Sequence, residues 1–147
     1  MIVTGGRGTI SGMGTLFPYS KVQDTLYHGT NKLDIEKFSI QGRESNGAIF
    51  FANDVDYAEE EAYIKTESNG GQKTIYEVKV DIRNPMTVTL SDTEFAEPAV
   101  EKKYIQQVKA EGRDAVIFKA GGDTFEGQVF YAVFSPNQVN IQRKRKV

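Results

Sequence analysis

Apolar residues along this chain come in short runs of changing period, and the period assigns the elements. In KTIYEVKVDI, Tyr76, Val78 and Val80 alternate with Ile75, Glu77 and Lys79 until Arg-Asn-Pro closes the run, the pattern of a strand in a half-exposed sheet. GAIFFAN is instead continuously apolar between Gly47 and Asn53, as in a strand covered on both faces. DTLYHG predicts a short strand ending at Gly29, MTVTL and DAVIFK predict further strands, and GQVFYAVFSP and QVNIQRK a closing pair. Helical signals lie between them. Asp54 or Asp56 is placed to cap a helix whose early turns carry Glu59, Glu60 and Glu61, and one face gathers Ala58, Ala62 and Tyr63. DTEFAEPAVEKKYIQQVKAEG reads as a second helical stretch interrupted at Pro98. These elements predict an α+β fold dominated by mixed or antiparallel sheet.

The opening MIVTGGRGTISGMGTLFPYS follows neither period and reads as a Gly-rich lead-in over residues 1–23. Its GGRGTISGMG fits neither the P-loop spacing nor GxGxxG, so it predicts no phosphate cradle. With 147 residues, 39% of them hydrophobic, the chain fills one ordinary core, and no Pro- or Ser-rich linker divides it. One domain over 24–142 with a short basic, solvated tail over 143–147 is the expected plan. A net charge of −2 argues against a general nucleic-acid binder, although RKRKV is locally basic. The absence of cysteine excludes disulfides, zinc knuckles and a thiol nucleophile, and a single histidine argues against a metal site. No apolar run approaches the ~20 residues that span a bilayer, and the N-terminus lacks a signal-peptide layout, so a soluble protein is expected.

The single histidine, His28, stands between an apolar run and a Gly-Thr turn in DTLYHGTNKL. It does not stand alone. LYHGT, GAIFFANDVDYAEEEAY, IYEVKVDIRNPMTV, DAVIF and VFYAVFSPNQVNI follow one another in the chain. In that order they resemble the ADP-ribosyltransferase domain of the diphtheria-toxin and poly(ADP-ribose) polymerase type, above all the small domains of phage polyvalent and head-associated proteins. The lead-in is also similar in style to segments of tailed-phage structural proteins.

The resemblance implies two packed, mainly antiparallel sheets with flanking helices around a cleft for NAD, bound without a Rossmann motif. It implies mono-ADP-ribosyl transfer from NAD to an unknown macromolecular acceptor, protein rather than nucleic acid, with release of nicotinamide. A phage or bacterial effector or toxin would do this, in the cytoplasm of a host or target cell, delivered with a phage particle or secreted. His28 would hydrogen-bond a ribose hydroxyl, and the backbone of Gly29 would pair with the nicotinamide amide without a Cβ in the way, beside Thr30. Phe50 takes the place of a strand tyrosine against the nicotinamide, and Tyr63, with Tyr57 as the alternative, supplies the helix ring. At the third motif the sequence departs from the family: Phe130 stands where relatives carry a glutamate. Side chains alternate along a strand, so Gln128 and Glu126 would project on the face of Phe130 and a shift or bulge would bring one of them to the ribose, Gln128 as the candidate for ribose contact and Glu126 for the charge. The glycines of KAGGDTFEGQ suggest a mobile loop that selects the acceptor. Two other readings stay open: a catalytically inactive NAD or ADP-ribose-binding module, and a structural domain of a phage particle.

Overall fold

A computed structural model describes residues 16–39 and 46–147. Its elements are β1 (Leu26–Thr30), β2 (Ile49–Ala52), α1 (Val55–Asn69), β3 (Thr74–Val80), β4 (Pro85–Leu90), α2 (Pro98–Ala110), β5 (Ala115–Ala120), β6 (Val129–Val133) and β7 (Val139–Lys146). The class is α+β, as the pattern predicts. Asp54 is the cap of α1, its carboxylate accepting the Asp56 N–H at 2.9 Å, and Gly70 ends the helix at φ 76°. Pro98 does not interrupt a helix. It occupies the first turn of α2, where the missing N–H would have had no partner, and the residues before it form turns.

The strands form one seven-stranded sheet in the order β4-β5-β6-β2-β1-β3-β7, antiparallel throughout except for the parallel pair β4–β5 that α2 connects. Two separate sheets were the expectation, and the described strands instead join across a seam. At that seam β1 and β2 pair only through Tyr27 and Ala52. Each face of the sheet is covered, which is why β2 and β5 read as unbroken apolar runs. Val116 and Phe118 bury into one cluster with Phe95, Ile105, Val108 and Phe130, and Ile117 between them into the other with Leu26, Phe38, Phe51 and Tyr76.

The last residues of the lead-in belong to this core. Ser20 is buried, its hydroxyl accepting from Val22 N and Ile82 N and donating to Val80 O at 2.7 Å. GGRGTISGMG lies outside the described residues. The expected basic tail is an edge strand: Arg143 to Lys146 continue β7 against β3, with Arg143 and Arg145 both on Glu77 at 3.6 and 3.2 Å. Charges of this kind on an outer strand discourage pairing with another chain. Within SPNQ, Ser135 and Gln138 close a capping box, and the Gln138 amide donates to Asp81 O and Asp114 O, tying three connections together. Among the described residues no helix is long and apolar enough to cross a membrane.

Candidate active site

Beyond Tyr27 and Ala52 the strands β1 and β2 part, and a cavity of about 750 Å³ opens at the seam, walled by α1, the start of α2 and β6. That volume is within the range of small-molecule sites. Parting strands leave backbone groups without ladder partners, and side chains take their place. His28 Nδ1 bonds the Phe50 carbonyl at 2.9 Å, and Lys65 Nζ donates to the Gly29 carbonyl at 2.9 Å. Helix α1 lies directly on β1 at this point. A Cβ added to Gly29 would overlap the Ala58 carbonyl and come 2.9 Å from Ala62 N, so the closeness of the helix demands this glycine whatever approaches its backbone. Thr30 is buried and lines the cavity next to it.

Burial, reinforced by the Lys65 charge and opposed by the hydrogen bond to Phe50, lowers the His28 pKa to about 4. The imidazole is therefore neutral near pH 7. A neutral ring facing a carbonyl through Nδ1 must carry its proton there, which leaves Nε2 as an acceptor. Phe38 and Phe51 hold the ring edge-on at centroid distances of 4.9 and 5.7 Å. The site thus presents one fixed acceptor suited to a hydroxyl.

Along α1, Tyr57, Glu61 and Lys65 follow at helical spacing and all line the cavity. From Tyr57 to Lys65 the helix advances about 12 Å. The Tyr57 hydroxyl donates to Glu61 Oε1 at 2.9 Å, and burial together with Glu61 and Glu101 pushes its pKa well up. The Tyr57 ring lies 4.8 Å from Phe130, and Phe130 in turn 4.7 Å from Phe95, while Phe50 stacks on Phe118 at 6.4 Å. Glu101, in the first turn of α2, completes this end of the cavity at 9% exposure. Burial, and then the neighbouring Glu97, push its pKa up to about 7.

Residues 24–144 match the ART-PolyVal family, described as ADP-ribosyltransferase in polyvalent proteins. The chain belongs to this family. Its fold is also similar to a chain of the M. tuberculosis MbcT–MbcA toxin–antitoxin complex, with a TM-score of 0.59 at 12% identity over 86% of this chain and 85% of that one. No curated protein sequence matches it.

Within this ADP-ribosyltransferase domain, His28, Gly29, Thr30, Phe50 and Tyr57 come together around the cavity, and Phe130 lines it as well. Tyr63 does not. It is 53% exposed, with Lys73 over its ring and its hydroxyl turned to Glu67, because the α1 face that meets β1 runs through Ala58 and Ala62 and leaves position 63 outside. Glu126 is exposed and Gln128 is not among the lining residues. The strand begins at Val129, and Gly127 turns the chain just before it at φ 82° with the Gln128 N–H bonded to Phe125 O, which takes Glu126 out of the alternation that leads to Phe130. The Gln128 side-chain oxygen is buried without a hydrogen-bond partner. The loop expected to be mobile is tied down by Gly121 N to Leu90 O, Thr124 N to Asp92 Oδ1 and Phe125 against Phe95. A Cβ at its Gly122 would meet the Asp92 carboxylate, which would have to give up its place under Thr124 N. Sequence reasoning missed Glu61, Lys65 and Glu101. The spacing Tyr57, Glu61, Lys65 is a readable signal for one helix face, whereas Glu101 looks in sequence like any charge on a solvated helix.

Proposed function

We propose that this domain binds NAD in the cavity and acts as a mono-ADP-ribosyltransferase, moving ADP-ribose to a macromolecular acceptor, a protein rather than a nucleic acid, and releasing nicotinamide. The observation that carries the reading is the polarity of the cavity. Lys65, bonded to Gly29 O, and Lys32 and Lys37 of the segment after β1 give one end a cationic lining, while Tyr57, Glu61 and Glu101 give the other an aromatic and acidic one. NAD has the matching polarity, an anionic diphosphate and a cationic nicotinamide ring. The lysines suit the diphosphate, the face of Tyr57 suits the pyridinium, and the free lone pair on His28 Nε2 suits a ribose hydroxyl.

In the reaction the bond from ribose C1′ to the nicotinamide nitrogen breaks with its electron pair leaving on nicotinamide, which departs neutral. The acceptor then adds to the electron-poor C1′ and gives up a proton. Membership of the polyvalent-protein family supports a phage setting, and the likeness to a chain of a toxin–antitoxin complex supports a toxin or effector acting in the cytoplasm of a host cell. Phe130, which carries no charge where relatives carry glutamate, favours a second reading: a module that holds NAD or ADP-ribose without turnover.

Calorimetric titration of the full chain with NAD, beside an assay of nicotinamide release, tests both. The native chain is expected to bind and release, and His28→Ala to bind roughly tenfold more weakly for the loss of one hydrogen bond. Binding without release selects the second reading. Absence of NAD binding overturns both.

A further inference from the structure

The carboxylate expected on β6 is absent, and the cavity holds another one that no motif announces. Glu101 enters from α2, next to the wall formed by Tyr57 and Phe130, and is nine-tenths buried. Among the described residues no hydrogen bond or ion pair engages its carboxyl group. A buried ionisable group without a partner is costly to the fold, and structural charges are normally paired. Glu101 is held there all the same. Ala96, which also lines the cavity, adopts φ 67° just before the helix, a left-handed conformation unfavourable for a residue with a Cβ, and Pro98 then starts α2 so that its first turn meets the cavity.

We propose that Glu101 is the catalytic carboxylate of this domain, reaching the nicotinamide ribose from α2 in place of a glutamate at the Phe130 position. The inference rests on NAD being the substrate. As the glycosidic bond breaks and its electron pair leaves with nicotinamide, the ionised Glu101 stabilises the positive charge that builds on C1′ and the ring oxygen. A water or acceptor hydroxyl forms the new bond to C1′, and its proton passes to the Glu101 carboxylate and from there to solvent. Acting on Glu101 is Glu97 from the start of its own helix, and Tyr57 of α1, itself bonded to Glu61, lies within electrostatic reach of both the Glu61 and Glu101 carboxylates; β2 and β6 contribute the apolar Phe50, Ala52 and Phe130 to the same cavity. These surroundings disfavour the charged form and set its titration near neutrality, with a pKa of about 7. Activity is therefore expected to rise with pH through that value.

The test compares the full chain with Glu101→Gln, Glu101→Asp and Glu126→Gln, measuring NAD binding, nicotinamide release and its pH profile, and denaturant stability. Glu101→Gln is expected to keep NAD binding, weakened by no more than the loss of one charge from the acidic lining, and to lose at least ~10²-fold in release, with the alkaline-rising limb gone from what remains. Glu101→Asp should recover part of the rate, and Glu126→Gln should match the native chain. Native-like release from a folded Glu101→Gln overturns the proposal, as does a rising limb that survives the substitution. A native chain that binds NAD without releasing nicotinamide also overturns it and leaves NAD binding standing. No NAD binding by the native chain removes the substrate reading itself.

Discussion

At the β1 end of the cavity, polar atoms find their partners inside the protein: His28 holds the Phe50 carbonyl, Lys65 holds the Gly29 carbonyl, and helix α1 presses onto the strand with no room for a side chain at position 29. At the α2 end, Glu101 is buried in apolar surroundings with Glu97 beside it and no hydrogen bond or ion pair among the described residues. Both groups have shifted pKa values, in opposite directions and with opposite meaning. Burial keeps His28 neutral and the Phe50 carbonyl fixes its tautomer, so beside the lysines of that end the histidine is a rigid, uncharged acceptor. Burial holds Glu101 near the pH at which it gains and loses its proton, so that end keeps an electrostatic capacity for a ligand to use. On the proposed reading such a site gives up stability where it needs reactivity and recovers it where it needs only shape.

The tight end should break most severely. Gly29→Ala forces the new methyl group into the Ala58 carbonyl, and β1 or α1 must move. We expect a loss of about 3 kcal/mol or more, at the upper end for overpacking because the obstacle is backbone, together with loss of NAD binding. Denaturant unfolding measures it. A Gly29→Ala protein of native stability would mean that the helix does not press on the strand as described.

A smaller effect, opposite in sign, is expected at the other end. Glu101 has a folded pKa of about 7 against 4.5 unfolded, so the folded state binds more protons between these values; its contribution is complete below pH 4.5 and lost as pH rises to about 7. His28 has a folded pKa of about 4 against 6.5 unfolded, so its contribution is complete above pH 6.5 and lost as pH falls toward 4. From 4.5 to 6.5 the two slopes oppose each other. Replacing Glu101 by Gln removes one of them: the variant should be more stable than the native chain by about 2–3 kcal/mol at pH 8 and equal to it at pH 4. Matched denaturation curves at the two pH values decide this, and a stability difference independent of pH would show that Glu101 titrates as an ordinary surface carboxylate.

What could be read from the sequence follows the same division. The β1 end was legible because its chemistry is local: His28 and Gly29 are adjacent, the strand period is clear, and Asp54 begins α1 at a fixed distance beyond GAIFFAN. The acidic end depends on contacts between distant segments. In AVEKKYIQQV, Ile105 and Val108 fall on one helix face with position 101, yet a glutamate there contradicts the usual apolar pattern and reads as a solvated charge. The candidate Glu126 rested on an alternation that the positive-φ Gly127 cut short, a break that EGQ alone does not reveal. One seam in place of two sheets was equally hidden, because a single register pair joins the halves.

The smallest predicted effects lie on α1, where two tyrosines six residues apart separate the cavity face from the solvent face. Tyr57→Phe removes the hydroxyl that donates to Glu61 and should cost about 1 kcal/mol of stability while keeping the ring against Phe130. Tyr57→Ala removes the ring as well, and NAD affinity should then fall roughly tenfold, the worth of one stacking surface. Tyr63→Ala changes an exposed ring whose neighbours are Lys73 and Glu67, and both stability and NAD affinity should stay within about 0.5 kcal/mol of native. The order of the two alanine variants is what counts. If NAD binding drops with Tyr63 and not with Tyr57, the ligand lies along the outer face of α1, and the polarity of the cavity has no bearing on what the domain binds.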